Sequence, residues 1–79
     1  MMNKTFKEIQ AFLNENYAFG FTVSRRKKYL IYTFVRFFNS KRKLHLRMKV
    51  DRETKQVISV NHQGKVYTDF DELKKLIEQ

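Results

Sequence analysis

The chain of 79 residues has no cysteine, which excludes disulfides and thiolate metal sites as staples. Its core must come from eight Phe, four Tyr and the aliphatic side chains, or be completed by a partner chain. Proline is also missing, and the two glycines, Gly20 and Gly64, stand alone. Isolated glycines exclude a phosphate-binding glycine loop. With no low-complexity stretch or internal repeat, nothing reads as a linker, so residues 1–79 are expected to form a single domain. A chain this short buries only roughly 60% of the surface its unfolded form exposes, so stability is expected to be modest. No apolar run approaches the ~20 residues that span a bilayer. Met1 to Gln10 is polar with periodic apolar residues, unlike the apolar block of a signal peptide. These features predict a cytoplasmic protein with no membrane span.

Catalytic constellations are nearly absent. His45 and His62 are the two histidines, and neither has ligand-like spacing to a carboxylate. Ser24 and Ser40 have no base near them in sequence. Asp69, Asp71 and Glu72 cluster where a helix is expected to start, so capping accounts for them better than a metal does. The expectation is a protein that is not an enzyme and uses no cofactor or metal.

Acidic residues are scarce in one stretch, which is where positive charge accumulates. Residues 1–23 balance Lys4 and Lys7 against Glu8 and Glu15. Residues 24–55 set twelve Lys/Arg against Asp51 and Glu53, a net of +10 within a chain whose total is +9. Residues 56–79 return to −1, with Lys65, Lys74 and Lys75 against Asp69, Asp71, Glu72 and Glu78. A concentrated cationic block calls for an anionic partner, nucleic acid first and an acidic protein as the alternative. A solubilising surface is the bland explanation of the same block. An anionic membrane surface fits less well, because neither expected helix combines a basic polar face with a broad apolar one.

Periodicity separates the chain into helices at its ends and strands between them. Phe6, Ile9, Phe12, Leu13 and Tyr17 recur at helical spacing, and Thr5 with Glu8 has capping-box spacing, predicting a helix from Thr5 to Tyr17. Phe70, Leu73, Leu76 and Ile77 predict a second helix from Phe70 to Glu78, capped by Thr68 or Asp69. Between them, two-residue alternation marks strands at 19–24, 29–38, 43–50 and 57–61, with a further short one at 65–67. Basic or polar turns at 25–28, 39–42 and 52–56 would join them as a meander. The fold class is α+β: an antiparallel three- to four-stranded sheet flanked by N- and C-terminal helices, in the order α-β-β-β-(β)-α.

The strand at 43–50 is the clearest single signal. Leu44, Leu46, Met48 and Val50 face a core, while Lys43, His45, Arg47 and Lys49 face away. If Val50 opposes Ile58, then Ile58 and Val60 join the core, and Ser59 and Asn61 join the basic face. A four-residue turn at 39–42 would oppose Phe38 to Lys43, and Tyr32, Phe34 and Arg36 to Lys49, Arg47 and His45. Ile31, Val35 and Phe37 would then face the core. That register produces a lattice of aromatic rings and cations, in which rings stack on bases and Lys and Arg neutralise phosphates. Residues 29–38 are apolar on both faces, which equally fits burial on both sides by helices or a homodimer seam. A one-residue change in the turn exchanges the two faces.

The turn Arg25, Arg26, Lys27 and Lys28, with Lys41, Arg42 and Lys43 at the next, provides phosphate contacts without base specificity. The candidate nucleic-acid-binding set is therefore Arg25, Arg26, Lys27, Lys28, Tyr32, Phe34, Arg36, Lys41, Arg42, Lys43, His45, Arg47 and Lys49.

The element order is similar to that of double-stranded-RNA-binding domains, which also run α-β-β-β-α. Those modules place a basic patch at the start of the second helix, where this chain has Asp69, Asp71 and Glu72. The order is also similar to that of phosphotyrosine-binding SH2 domains, which end in a strand and an apolar-faced helix, as in Val66–Ile77. Their signature arginine on the first central strand has no match here, since Val23 is followed by Ser24 before Arg25. Neither likeness assigns a family.

Overall fold

A computed structural model describes Met2, residues 4–37 and residues 43–78, with all side chains in these ranges except those of Phe21 and Phe37. The first helix begins where its cap predicts. The Thr5 hydroxyl accepts the Glu8 N–H at 3.3 Å, and the Glu8 carboxylate accepts the Thr5 N–H at 3.2 Å. Two backbone donors that the helix itself leaves free are thereby satisfied. The helix α1 runs Phe6–Glu15 and stops two residues short of the expected Tyr17. Tyr17 itself adopts φ 62°, a left-handed conformation that ends the helix and turns the chain toward the sheet.

Five strands follow: β1 (Ala18–Arg25), β2 (Tyr29–Phe37), β3 (Lys43–Asp51), β4 (Val57–His62) and β5 (Lys65–Tyr67), before α2 (Phe70–Glu78). They pair in chain order, every neighbour antiparallel, so the sheet is a meander one strand wider than the upper expectation. Local chemistry sets its turns. Between β3 and β4, the Asp51 carboxylate accepts the N–H groups of Glu53 at 2.8 Å and Thr54 at 3.0 Å. These bonds, Thr54 foremost, hold the Asp51 carboxyl below its ordinary pKa. Between β4 and β5, Gln63 and Gly64 take φ of 50° and 85°, the pair of left-handed residues that a two-residue hairpin needs. Ahead of α1, Lys4 accepts the Val57 N–H and Lys55 accepts the Phe6 N–H, tying the N-terminal segment to the start of β4.

Both helices pack on the same face of the sheet. The Phe6 ring stacks on Tyr32 with centroids 4.3 Å apart, and the Phe12 and Phe70 rings meet edge to face at 5.2 Å. Ile9 and Leu13 from α1, and Leu73 and Ile77 from α2, are fully buried against Leu46, Met48 and Val50 of β3. The alternation along β3 is as expected, with Leu44, Leu46, Met48 and Val50 buried and Lys43, His45 and Arg47 exposed.

The pairing of β2 with β3 corrects the expected register by one residue. Phe37 opposes Lys43, so Arg36 meets Leu44, Phe34 meets Leu46 and Tyr32 meets Met48. Tyr32, Phe34 and Arg36 therefore lie on the helix-bearing side, and Ile31, Thr33 and Val35 lie on the other. The expected opposition of Phe38 to Lys43 is thus replaced by that of Phe37, while the expected turn at 39–42, with Lys41 and Arg42, falls outside the described residues. The physical reason is the side-chain period of two: a single residue more in the connection exchanges every side chain of β2 between faces. The core accounts for the choice. Phe34 is 1% exposed, and a Cβ added to Gly20 would lie 3.4 Å from its ring, so the ring fills the space a side chain on β1 would take.

A smaller correction falls on β4. The pairing expected from Val50 to Ile58 holds for Lys49 with Ser59 and Arg47 with Asn61, then shifts so that Val50 meets Val57. This bulge puts Val57 in the core and leaves Ile58 half-buried. A second irregularity between Gly20 and Thr22 of β1 places Phe19 opposite Val35 and Val23 opposite Tyr32. Phe19 consequently points away from the helices.

Candidate functional site

With both helices on one side, the other side of the sheet has no layer over it among the described residues. Its composition follows from the register, read row by row across the strands. One row runs Phe19, Val35 and His45, and the next runs Thr22, Thr33, Arg47, Asn61 and Val66. The third runs Ser24, Ile31, Lys49 and Ser59. Lys43 lies at one end of the face, and Tyr29 with Asp51 at the other. Phe19 and Val66 are each 54% exposed, so apolar surface is interleaved with the cations. The Lys49 ammonium lies 4.1 Å from the centroid of the Tyr29 ring, a cation–π contact that orients both side chains along the sheet.

Charge is segregated between the two layers. Of the eight acidic residues, six lie on or beside the helices: Glu8, Glu15, Asp69, Asp71, Glu72 and Glu78. The other two, Asp51 and Glu53, sit together at the turn after β3. Lys43, Arg47 and Lys49 thus have no carboxylate among them in their rows. Successive outward residues of a strand are about 6.7 Å apart, so these cations and His45 form an evenly spaced line along β3.

Two shallow hollows adjoin this line. One, of about 330 Å³, is lined by Lys43, His45, Arg47, Asn61, Gln63 and Gly64. It forms because the β4–β5 hairpin curls beside β3. The Asn61 side chain accepts the Gly64 N–H at 3.1 Å, and His62 Nδ1 donates to the His45 carbonyl at 3.1 Å, tying the hairpin back to β3. The other hollow, of about 240 Å³, lies at the opposite end between Lys27, Lys28, Asp51, Arg52 and Glu53. There Arg52 donates from its guanidinium to the Arg26 carbonyl at 2.8 Å and from its N–H to the Lys28 carbonyl at 3.1 Å. The two turns are joined, and Arg26, Lys27 and Lys28 stay exposed beside Arg52.

The candidate residues from sequence therefore divide. Lys43, His45, Arg47 and Lys49 share the open face, and Arg25, Arg26, Lys27 and Lys28 are exposed at its end. Tyr32 and Phe34 belong to the helix-side packing instead, and Lys41 and Arg42 are outside the described residues. Arg36 is on the helix side too, where its guanidinium donates to the Ile77 carbonyl near the end of α2. It serves as a tie between sheet and helix, satisfying a carbonyl that the helix leaves without a partner. The face also carries Phe19 and Tyr29, and Arg52 stands at its end, none of which belongs to the candidate set from sequence. The bulge in β1 hid Phe19, because a two-residue period does not reveal where it breaks. Tyr29 carries no signal of its own in sequence, because it begins a strand that is rich in apolar residues on both faces.

Among the described residues, no group of three or more His, Cys, Asp or Glu is placed to hold a metal ion, and no helix is long and apolar enough to cross a membrane. No family model, curated protein or solved structure matches the chain.

Proposed function

We propose that this chain is a non-enzymatic nucleic-acid-binding module that holds a phosphate backbone against the open face of its sheet and the basic turn beside it. The observation that supports this reading best is the segregation of charge onto an uncovered surface. Lys43, Arg47 and Lys49 project from one strand with His45 among them, while six of the eight acids lie with the helices on the far side. The turn Arg25–Lys28 extends the positive region past the end of the sheet. Exposed cations lose little hydration when they meet a phosphate, and each releases counterions from the nucleic acid.

Salt dependence gives the test its magnitude. About six phosphate contacts give a log–log slope near −5 on duplex DNA and near −4 on a single strand, so affinity should fall around a thousandfold or a few hundredfold, respectively, between about 50 and 200 mM salt. Fluorescence anisotropy with labelled DNA and RNA oligonucleotides measures this directly. Arg47→Ala and Lys43→Ala should each weaken binding and reduce the slope by about one. Absence of binding to every oligonucleotide at low salt removes the proposal. An acidic protein partner captured from a lysate and retained under excess DNA would assign the same cations to protein recognition instead.

A further inference from the structure

The open face has a shape as well as a charge, and the shape bears on which nucleic acid fits it. Five strands spaced about 4.8 Å apart make a surface roughly 19 Å across, whereas the B-form major groove is about 12 Å wide and admits a helix or a two-stranded ribbon. The sheet cannot enter that groove. Neither helix can replace it, because α1 and α2 lie on the opposite side and carry acids along with their few lysines. Against a duplex, the face is limited to the backbone, and its exposed apolar groups stay idle because paired bases are already stacked on each other.

A single strand uses what a duplex leaves idle. Phe19 is 54% exposed on the open face and lies in the same row as Val35 and His45. Val35 lies between them in the row and is buried, so the exposed apolar surface of this row is the Phe19 ring. His45, two strands or about 10 Å from Phe19, offers a second ring. Beside it, Lys43 and Arg47 border the 330 Å³ hollow, which also presents the Asn61 and Gln63 amides. Rings, cations and amides within one row and its neighbour match the recurring arrangement for unpaired bases, which stack on aromatic surfaces while Lys and Arg track the phosphates.

We infer that the preferred ligand is single-stranded nucleic acid, with one base stacked on Phe19 and the backbone following Lys43 and Arg47 past the hollow at the β4–β5 hairpin. This inference rests on the nucleic-acid-binding reading. The Gln63 amide, and the NH2 of Asn61 whose oxygen is held by the Gly64 N–H, then face the edge of an unpaired base, which a paired base would keep hidden.

The experiment compares one labelled 15-nucleotide strand, as DNA and as RNA, with the same strand annealed to its complement, at 50 mM salt. The single strand should bind at least fivefold tighter than the duplex. Phe19→Ala should weaken single-strand binding about fivefold or more, the lower end of what one lost base stack costs, and leave duplex binding unchanged. Phe19→Leu keeps apolar area without a π face and should fall close to Phe19→Ala. Thermal melts of both variants should match the parent, since the side chain is outside the core. Equal affinity for duplex and single strand, or an unchanged single-strand affinity in Phe19→Ala, would overturn this inference and leave the phosphate-binding reading standing. No binding to either form would overturn both. The difference between the DNA and RNA arms reports whether a ribose hydroxyl is recognised.

Discussion

Replacing Phe34 by alanine tests the register on which the whole description of the faces depends. Its ring is 1% exposed, opposes Leu46 across the β2–β3 pairing and lies beneath Gly20 of β1. Truncating a buried Phe costs about 3–5 kcal/mol, from lost transfer energy plus the cavity left behind. At ~0.05–0.15 kcal/mol per residue, a chain of this length has a total stability of about 4–12 kcal/mol. The substitution therefore removes a large share of it. For a domain of this size, 1 kcal/mol corresponds to about 4–8 °C, so Tm should fall by at least about 12 °C. In the alternative register Phe34 would be a surface residue, and its truncation would cost about 0.5 kcal/mol or less. Circular-dichroism melts of Phe34→Ala and Thr33→Ala decide between them. Thr33 opposes Arg47 on the open face, so its truncation should be nearly silent. Should Phe34→Ala abolish folding at 25 °C, Phe34→Leu provides a smaller step in the same direction. A loss under about 1 kcal/mol in Phe34→Ala, with the larger loss in Thr33→Ala, would refute the register.

The remaining expectations concern the ties that hold the layers and turns. Arg36→Met removes the guanidinium donor to the Ile77 carbonyl, a charged hydrogen bond whose loss is expected to cost about 1.5–3 kcal/mol. Amide hydrogen exchange in α2 should accelerate relative to α1, and identical exchange in both helices would count against the tie. Asp51 has its pKa lowered in the folded state, so its stabilising contribution is present above the unfolded value of about 3.9 and is lost as pH falls through the lower folded value. Below about pH 4, the Tm of the parent should thus fall more steeply than that of Asp51→Asn, and parallel curves would exclude the link. Thr5→Ala breaks the reciprocal cap of α1 and is expected to cost about 1 kcal/mol, read by urea titration. Unchanged stability would mean that the pairing of the N-terminal segment with β4 sets the helix start instead.

Local physics accounts for what could be read without a structure. Thr5 and Glu8 announced a helix start because the cap is a contact three residues long. Lys43 to Val50 announced a half-buried strand because alternation within one strand reports its two environments directly. The concentration of cations in residues 24–55 is likewise a property of the chain, and it places the charge on the strands rather than the helices.

Which side chains share a face was decided only by the tertiary structure. Residues of β2 are apolar at both parities, so nothing within the strand distinguishes Phe34 inward from Phe34 outward. The choice rests on packing against Gly20 and Leu46, residues distant in sequence, and a single residue in the connection reverses it. The bulges at Gly20–Thr22 and Lys49–Val50 act the same way, turning Phe19 to the open face and Val57 to the core. Both helices pack on one side because their apolar stripes cover a single face of the sheet and meet each other at Phe12 and Phe70. That placement leaves Lys43, His45, Arg47 and Lys49 uncovered, and it makes Arg36, one of the same cationic block, a structural tie instead.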